Sequence, residues 1–220
     1  MAVKLRFRWT KIVLFLLCLG PALELGYRTY NTFHGVQPDL GVNPLEYLTH
    51  GTGDWTLRFL LLTLAITPLR KLLKMPSLVQ YRRMVGLFAF FYGCLHLMTY
   101  LWFDKEFHLR EILPDVAKRP FITAGFTALV LMLPLAITST TGWIRRLGGK
   151  RWQLLHRLIY VSGIGAVTHY WWLVKSDIRK PAMYAAILGV LLLYRLLLWT
   201  LPGVRARWAE GKMVTAEGSN

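Results

Sequence analysis

The chain has 220 residues, of which 55% are hydrophobic, and a formal net charge of +16. Its apolar residues are gathered into separated blocks of about twenty, which excludes an ordinary soluble core and describes a polytopic helical membrane protein. The basic residues sit between those blocks, where they set topology and meet anionic lipid headgroups, so nucleic-acid binding is not expected.

Lys4, Arg6, Arg8 and Lys11 precede an apolar run from Ile12 to Leu25. A basic start and a short apolar run would suit a signal peptide, but Pro21, Glu24 and Leu25 do not form a small-residue cleavage site, so an uncleaved first helix is expected. Tyr27 to Asp54, with Pro38, Gly41, Pro44 and Gly51, reads as a polar loop, partly re-entrant or interfacial. Trp55 to Leu69 is the second span, ended by Pro68, and Arg70, Lys71, Lys74, Arg82 and Arg83 follow as a basic loop. Met84 to Phe103 is the third span; it holds His96 and closes on an interfacial aromatic belt of Tyr100, Trp102 and Phe103. A loop of mixed charge, Asp104 to Pro120, leads to the fourth span, Phe121 to Thr138, and then to Arg145, Arg146, Lys150 and Arg151. Trp152 to Val174 is the fifth span, and Ala182 to Leu201 is the sixth, followed by a basic, polar tail.

The expected fold is an all-α membrane protein, a six-helix transmembrane bundle forming one domain over residues 1–220. Counted over alternate loops, sixteen lysines and arginines lie on the side of both termini against eight on the other, which places the N- and C-termini in the cytoplasm. Spans three and five then run in the same direction. No internal repeat is evident. Cys18 and Cys94 lie inside apolar runs and read as small buried hydrophobes, with no disulfide framework or thiolate metal site available.

Ionisable side chains are costly at membrane depth, which makes the intramembrane histidines functional candidates, and a neutral imidazole is a ready metal ligand. His96 follows Arg83 by 13 residues and His169 follows His156 by 13, about 20 Å along each helix. Two parallel spans thereby build a ladder: His96 faces His169 on the outer rung, and Arg83 faces His156 on the inner one. Two imidazoles at one depth on neighbouring helices are what six-coordinate haem iron requires. A proton relay or an interhelical hydrogen bond would use the same residues. Gly86, Gly93, Ser162, Gly163, Gly165 and Ala166 leave room beside the backbone for a flat macrocycle, though small residues serve close helix packing equally well.

Thirteen residues turn an ideal helix by about 220° beyond whole turns, so His156 and His169 do not share a face unless the helix bends or is locally over- or underwound. One haem between His96 and His169 is better supported than two. His156 could serve a second haem, a propionate, a quinone or a flavin, or lie at the interface near Arg151. Arg82 and Arg83 are topology determinants or partners for a haem propionate or flavin phosphate; Arg157 and Arg195 could do the same or snorkel. His34, His50 and His108 read as loop or helix-start residues.

The stretches AITPLRKLLK, YRRMVGLFAFFYGCLHLMTYLW, RPFITAGFTALVLMLPLAITST, LGGKRWQLLHRLIYV and HYWWLVK resemble the MsrQ family, within the wider ferric-reductase-like transmembrane group. The likeness runs from the second span to the sixth. It implies a haem b electron-transfer subunit of the bacterial inner membrane. Electrons from the quinone pool, or from a cytoplasmic flavin reductase, would pass to a periplasmic molybdopterin-containing, MsrP-like subunit that reduces methionine sulfoxide in oxidised proteins. FMN is a further cofactor that the resemblance implies. The histidines matching the family motif are His96, His156 and His169, and Arg83 stands where wider relatives carry a fourth.

The sequence carries no G-x-G-x-x-G, so oxidation of a nicotinamide by this chain is not expected, and its outside loops hold no constellation for sulfoxide chemistry. The chain is expected to act as one subunit of a two-component oxidoreductase. The competing classes are a small transporter using His and Arg along a polar path, and a cofactor-free assembly subunit.

Overall fold

The computed structural model describes residues 2–35, 40–104 and 108–200, and among them it is helical without a strand. Pro38, Leu201 and the basic tail lie outside the described residues, as do the side chains of Lys4, Arg6 and Arg8. The helices are α1 (Ala2–Phe33), α2 (Pro44–Leu72), α3 (Arg82–Thr99), α4 (Leu109–Lys118), α5 (Pro120–Ile137), α6 (Thr141–Leu147), α7 (Gly149–Leu155), α8 (Leu158–Leu173) and α9 (Arg179–Thr200). A 3-10 segment, Pro76–Tyr81, leads into α3, and a π-wound turn, Tyr100–Asp104, leaves it.

By length and composition, four helical stretches can cross a membrane: Trp9–Phe33, Pro76–Phe103, Pro120–Ile137 and Arg179–Thr200. The other two long helices of the expected six are α2, which carries Asp54, Arg58, Arg70 and Lys71, and α8, which is 16 residues long.

Two antiparallel pairs organise the bundle: α2 lies along α3, and α5 lies along α8. Helix α9 packs on both α2 and α8, and α3 meets α5. Leu60, Leu64, Ala89 and Tyr92, all fully buried, form the centre of the α2–α3 contact, with Val167, Tyr184 and Leu188 on the neighbouring helices. Helix α1 is mostly exposed, as expected for a helix bathed in lipid, and buries Cys18 and Pro21 against the rest.

Several expected boundaries change. The Tyr27 to Asp54 loop is largely helical: α1 continues to Phe33, and α2 begins at Pro44, where Asn43 caps it by accepting from the Glu46 amide at 3.3 Å. Pro68 does not end the second helix, which continues to Leu72. A proline withholds the amide that would serve the carbonyl four residues earlier. That carbonyl, on Leu64, instead accepts from the Arg195 guanidinium at 3.1 Å. Arg195 therefore holds a structural place, with its guanidinium 5.1 Å from the Tyr160 ring centre, rather than snorkelling.

Pro21 has a related companion. The Tyr92 hydroxyl enters the α1 ladder, donating to the Cys18 carbonyl at 2.9 Å and accepting from the Ala22 amide at 2.9 Å. The mixed-charge loop holds the amphipathic α4, with Ile112 and Val116 turned inward and Leu113 exposed. Finally, the expected fifth span is two helices, α7 and α8, broken at His156 and Arg157. The amides of Arg157 and Tyr160 bond three residues back rather than four, which tightens the chain there.

Candidate functional site

A cavity of about 470 Å³ opens between the two helix pairs, within the range of cofactor pockets. Its walls come from α2, α3, α5 and α8, and Ile112 and Val116 of α4 cover one side. His96 near the end of α3 and His169 near the end of α8 both line it, with ring centres 6.0 Å apart and ring planes at 73°. Gly93, Leu129, Met132 and Ala166 contribute small or apolar wall, while His50, Asp54, Tyr100 and Arg119 are among its polar groups.

Each imidazole is tied by Nδ1 to a backbone carbonyl of the helix it packs on. His96 Nδ1 donates to the Thr49 carbonyl at 3.0 Å, with the Thr52 hydroxyl oxygen a longer neighbour at 3.4 Å. His169 Nδ1 donates to the Phe121 carbonyl at 2.6 Å. A carbonyl only accepts, so the proton of each neutral ring sits on Nδ1 and the lone pair is on Nε2. That is the tautomer and the outer partner found for metal-bound histidines.

These residues fit an iron porphyrin. A metal–imidazole bond of about 2 Å plus the roughly 1 Å from nitrogen to ring centre puts two trans imidazoles about 6 Å apart, centre to centre, and His96 and His169 stand at 6.0 Å. Among the described residues there is no cluster of three or more His, Cys, Asp or Glu that could hold a metal ion by itself, so a metal here needs ligands beyond the side chains, as a macrocycle provides. At the polar edge Arg119 pairs with Asp115 at 3.0 Å, and Tyr100 donates to the same carboxylate at 2.7 Å.

The other expected site residues lie elsewhere. His156 is outside this cavity. It caps α7, its Nδ1 bonds the Trp152 carbonyl at 3.1 Å, and its ring stacks on Trp152 at 3.8 Å. Its Nε2 is buried with no hydrogen-bond partner. Of the two arginines expected near His156, Arg83 is exposed and Arg82 is half-buried. Arg157 is exposed with its guanidinium 5.0 Å from the Trp199 ring centre. None of these arginines lines the cavity; Arg119 does, and the run of mixed charge around it hides that place in the sequence.

The expected small residues divide. Gly93 and Ala166 line the cavity, whereas Gly86 packs on Thr63, Gly163 on Leu188, and Gly165 on Ala128. His34 and His108 are exposed, as expected of surface residues, but His50 lies in α2 at the cavity edge.

Comparison with known proteins accords with this architecture. The model of the ferric reductase like transmembrane component family matches residues 52–167, a segment that includes His96 and His156 and stops just short of His169. A protein of Herminiimonas arsenicoxydans named protein-methionine-sulfoxide reductase heme-binding subunit MsrQ is 54% identical over 187 residues, covering 84% of this chain and 83% of that protein. The chain belongs to the MsrQ family. Proteins of the same name from Xanthomonas euvesicatoria pv. vesicatoria and Xanthomonas oryzae pv. oryzae are each 51% identical over 177 residues, covering 80% of this chain and 81% of theirs. No solved structure matches the chain. Membership of this transmembrane family, together with four apolar helices of sufficient length, makes it a multi-pass membrane protein.

Proposed function

We propose that the chain is a haem b electron-transfer subunit of a two-component methionine-sulfoxide reductase, with His96 and His169 as axial ligands. The observation that carries this is the 6.0 Å separation of two imidazoles, each with Nδ1 committed to a carbonyl and Nε2 left to coordinate. The MsrQ relatives, named heme-binding subunits, support it. When bound, the haem supplies reversible one-electron transfer.

The residues of the chain do the rest. The Thr49 and Phe121 carbonyls orient the rings and raise their basicity. Leu129, Met132 and Ala166 keep the cavity dry, and Arg119 offers a planar cation to a propionate. In six spans with both termini cytoplasmic, the His96 and His169 rung lies near the periplasmic face of the inner membrane, where a molybdopterin-containing, MsrP-like partner would collect electrons. His156, with its unpartnered Nε2, and the arginines 82, 83 and 157 form the cytoplasmic end. That end would receive electrons from quinol, or from a cytoplasmic flavin reductase. Arg82 and Arg83 are the pair suited to the phosphate of FMN, and His156 to a second haem, a quinone or a flavin.

Reduction of the purified protein in lipid by a quinol tests this directly. The expected result is growth of the sharp visible bands of a reduced b-type cytochrome, followed by their loss when the oxidised partner subunit is added. A colourless protein after expression with adequate haem would overturn it.

A further inference from the structure

The two imidazoles sit in seats of the same construction, taken from different helices. In α2 the Thr49 carbonyl accepts from His96, and Gly53, four residues on, lies against the ring: a Cβ built on Gly53 would stand 3.2 Å from His96 Cε1 and 3.3 Å from Nδ1. In α5 the Phe121 carbonyl accepts from His169, and Gly125, again four residues on, lies against that ring. A Cβ there would stand 2.8 Å from His169 Nδ1 and 2.9 Å from Cγ.

The repeat has a physical cause. Residues four apart are neighbours on one helix face, so a side chain that reaches the carbonyl of residue i from outside must pass over residue i+4. Any side chain at that position stands between ring and carbonyl. The carbonyl-to-histidine separation along the chain is 47 residues in one case and 48 in the other.

We propose that Gly53 and Gly125 are positioning residues for the two histidines: their bare α-carbons admit each imidazole to its carbonyl, and so set ring orientation and hydrogen-bond strength at the proposed ligands. This rests on the assignment of His96 and His169 as haem ligands. Neither glycine would touch the metal; each acts through its histidine. The two seats are graded. At Gly125 the approach is shorter than real Cβ contacts allow, and the ring, tied at Nδ1, has to move. At Gly53 the neighbour gives by a few tenths of an ångström.

The comparison variants are Gly125→Ala, Gly53→Ala and, as a packing control, Gly163→Ala. Gly163 lies on α8 with His169, but its added Cβ would meet the flexible Leu188 Cδ1 at 3.3 Å and no histidine. Alanine favours helix over glycine, so a spectral change would not come from helix propensity. The readouts are the low-spin electron paramagnetic resonance signal and the midpoint potential of the purified protein. A weakened Nδ1–H bond makes the imidazole a poorer donor to ferric iron, so the potential should rise. The expected order is Gly125→Ala with the largest rise and a changed signal, Gly53→Ala with a smaller one, and Gly163→Ala unchanged.

Loss of haem from Gly125→Ala alone, with Gly163→Ala fully loaded, would equally support the proposal. Wild-type signal and potential in both Gly53→Ala and Gly125→Ala, in a protein that does carry bis-histidine haem, would overturn it while leaving the haem assignment intact. A wild-type protein without histidine-bound haem would instead sink the assignment on which it rests. Should Gly125→Ala fail to accumulate, electron–nuclear double resonance on the wild-type protein decides. Two remote Nδ1 protons with hydrogen-bonded couplings are expected, and free, unbonded Nδ1–H groups would overturn the proposal.

Discussion

Tyr92 shows how one hydroxyl can tie a peripheral helix to the bundle. Its ring is fully buried and its oxygen lies between the Cys18 carbonyl and the Ala22 amide of α1. Without the hydroxyl the Cys18 carbonyl and the Ala22 amide, four residues apart in α1, can bond each other, but both hydrogen bonds that cross from α3 to α1 are lost. Tyr92→Phe should therefore loosen α1, whose other contacts with α2 and α3 are sparse. In a Cys94→Ala background, membrane-permeant maleimide should label Cys18, now 4% exposed, several-fold faster in Tyr92→Phe than in wild type. Equal rates would mean that the hydroxyl does not hold the helix. The pairing of His96 with His169 was legible in the sequence, because their spacing and helix direction bring them to one depth. Their glycine seats were not, since Gly53 and Gly125 reach the rings from separate helices. Gly53 also sits among Pro44, Gly51 and other loop-forming residues that mask its helix in the sequence.

At the scale of elements, Pro68 and Arg195 explain why a sequence signal misled. Proline reads as a helix stop because a carbonyl loses its donor, yet here the donor is replaced from α9, 131 residues away. No local pattern foretells that. Arg195→Met should cost about 1–3 kcal/mol of stability, the penalty for an orphaned buried carbonyl. In a Pro68→Ala background, where residue 68 supplies its own amide, most of that cost should vanish. Thermal unfolding followed by circular dichroism measures both, and equal costs in the two backgrounds would separate Arg195 from the proline. Helix α4 escaped notice for a different reason: its charged residues mask the apolar face formed by Ile112 and Val116, which only shows once the cavity it covers is known. Arg119→Gln removes a cation from the cavity's edge together with its ion pair to Asp115, and Asp115→Asn beside it controls for the loss of that pair. Haem affinity should fall several-fold, and full retention under competition with apomyoglobin would remove Arg119 from the proposed propionate role.

Across the whole molecule, two antiparallel helix pairs, α2–α3 and α5–α8, present equivalent seats and equivalent histidines to a common cavity. The sequence offered no internal repeat, because the likeness rests on a carbonyl, a glycine and a histidine in each half while the surrounding apolar residues are free to differ. The fifth helix was expected to be continuous and is broken at His156. A local change in winding was the condition for His156 and His169 to work on related faces. The orientation proposed from basic residues is open to impermeant maleimide in intact cells, with Cys18 and Cys94 replaced by alanine. Lys180→Cys should label before lysis and Arg146→Cys only after it, and the reverse pattern would place the histidine rung on the cytoplasmic side.

The proposed grip of His96 and His169 on iron is most directly tested by low-temperature electron paramagnetic resonance of the oxidised, purified protein, wild type beside His96→Ala, His169→Ala and His156→Ala. With ring planes at 73°, the wild type should give a strongly anisotropic low-spin signal. That signal should be lost in both His96→Ala and His169→Ala and kept in His156→Ala; its survival, unshifted, in either of the first two would contradict the assignment.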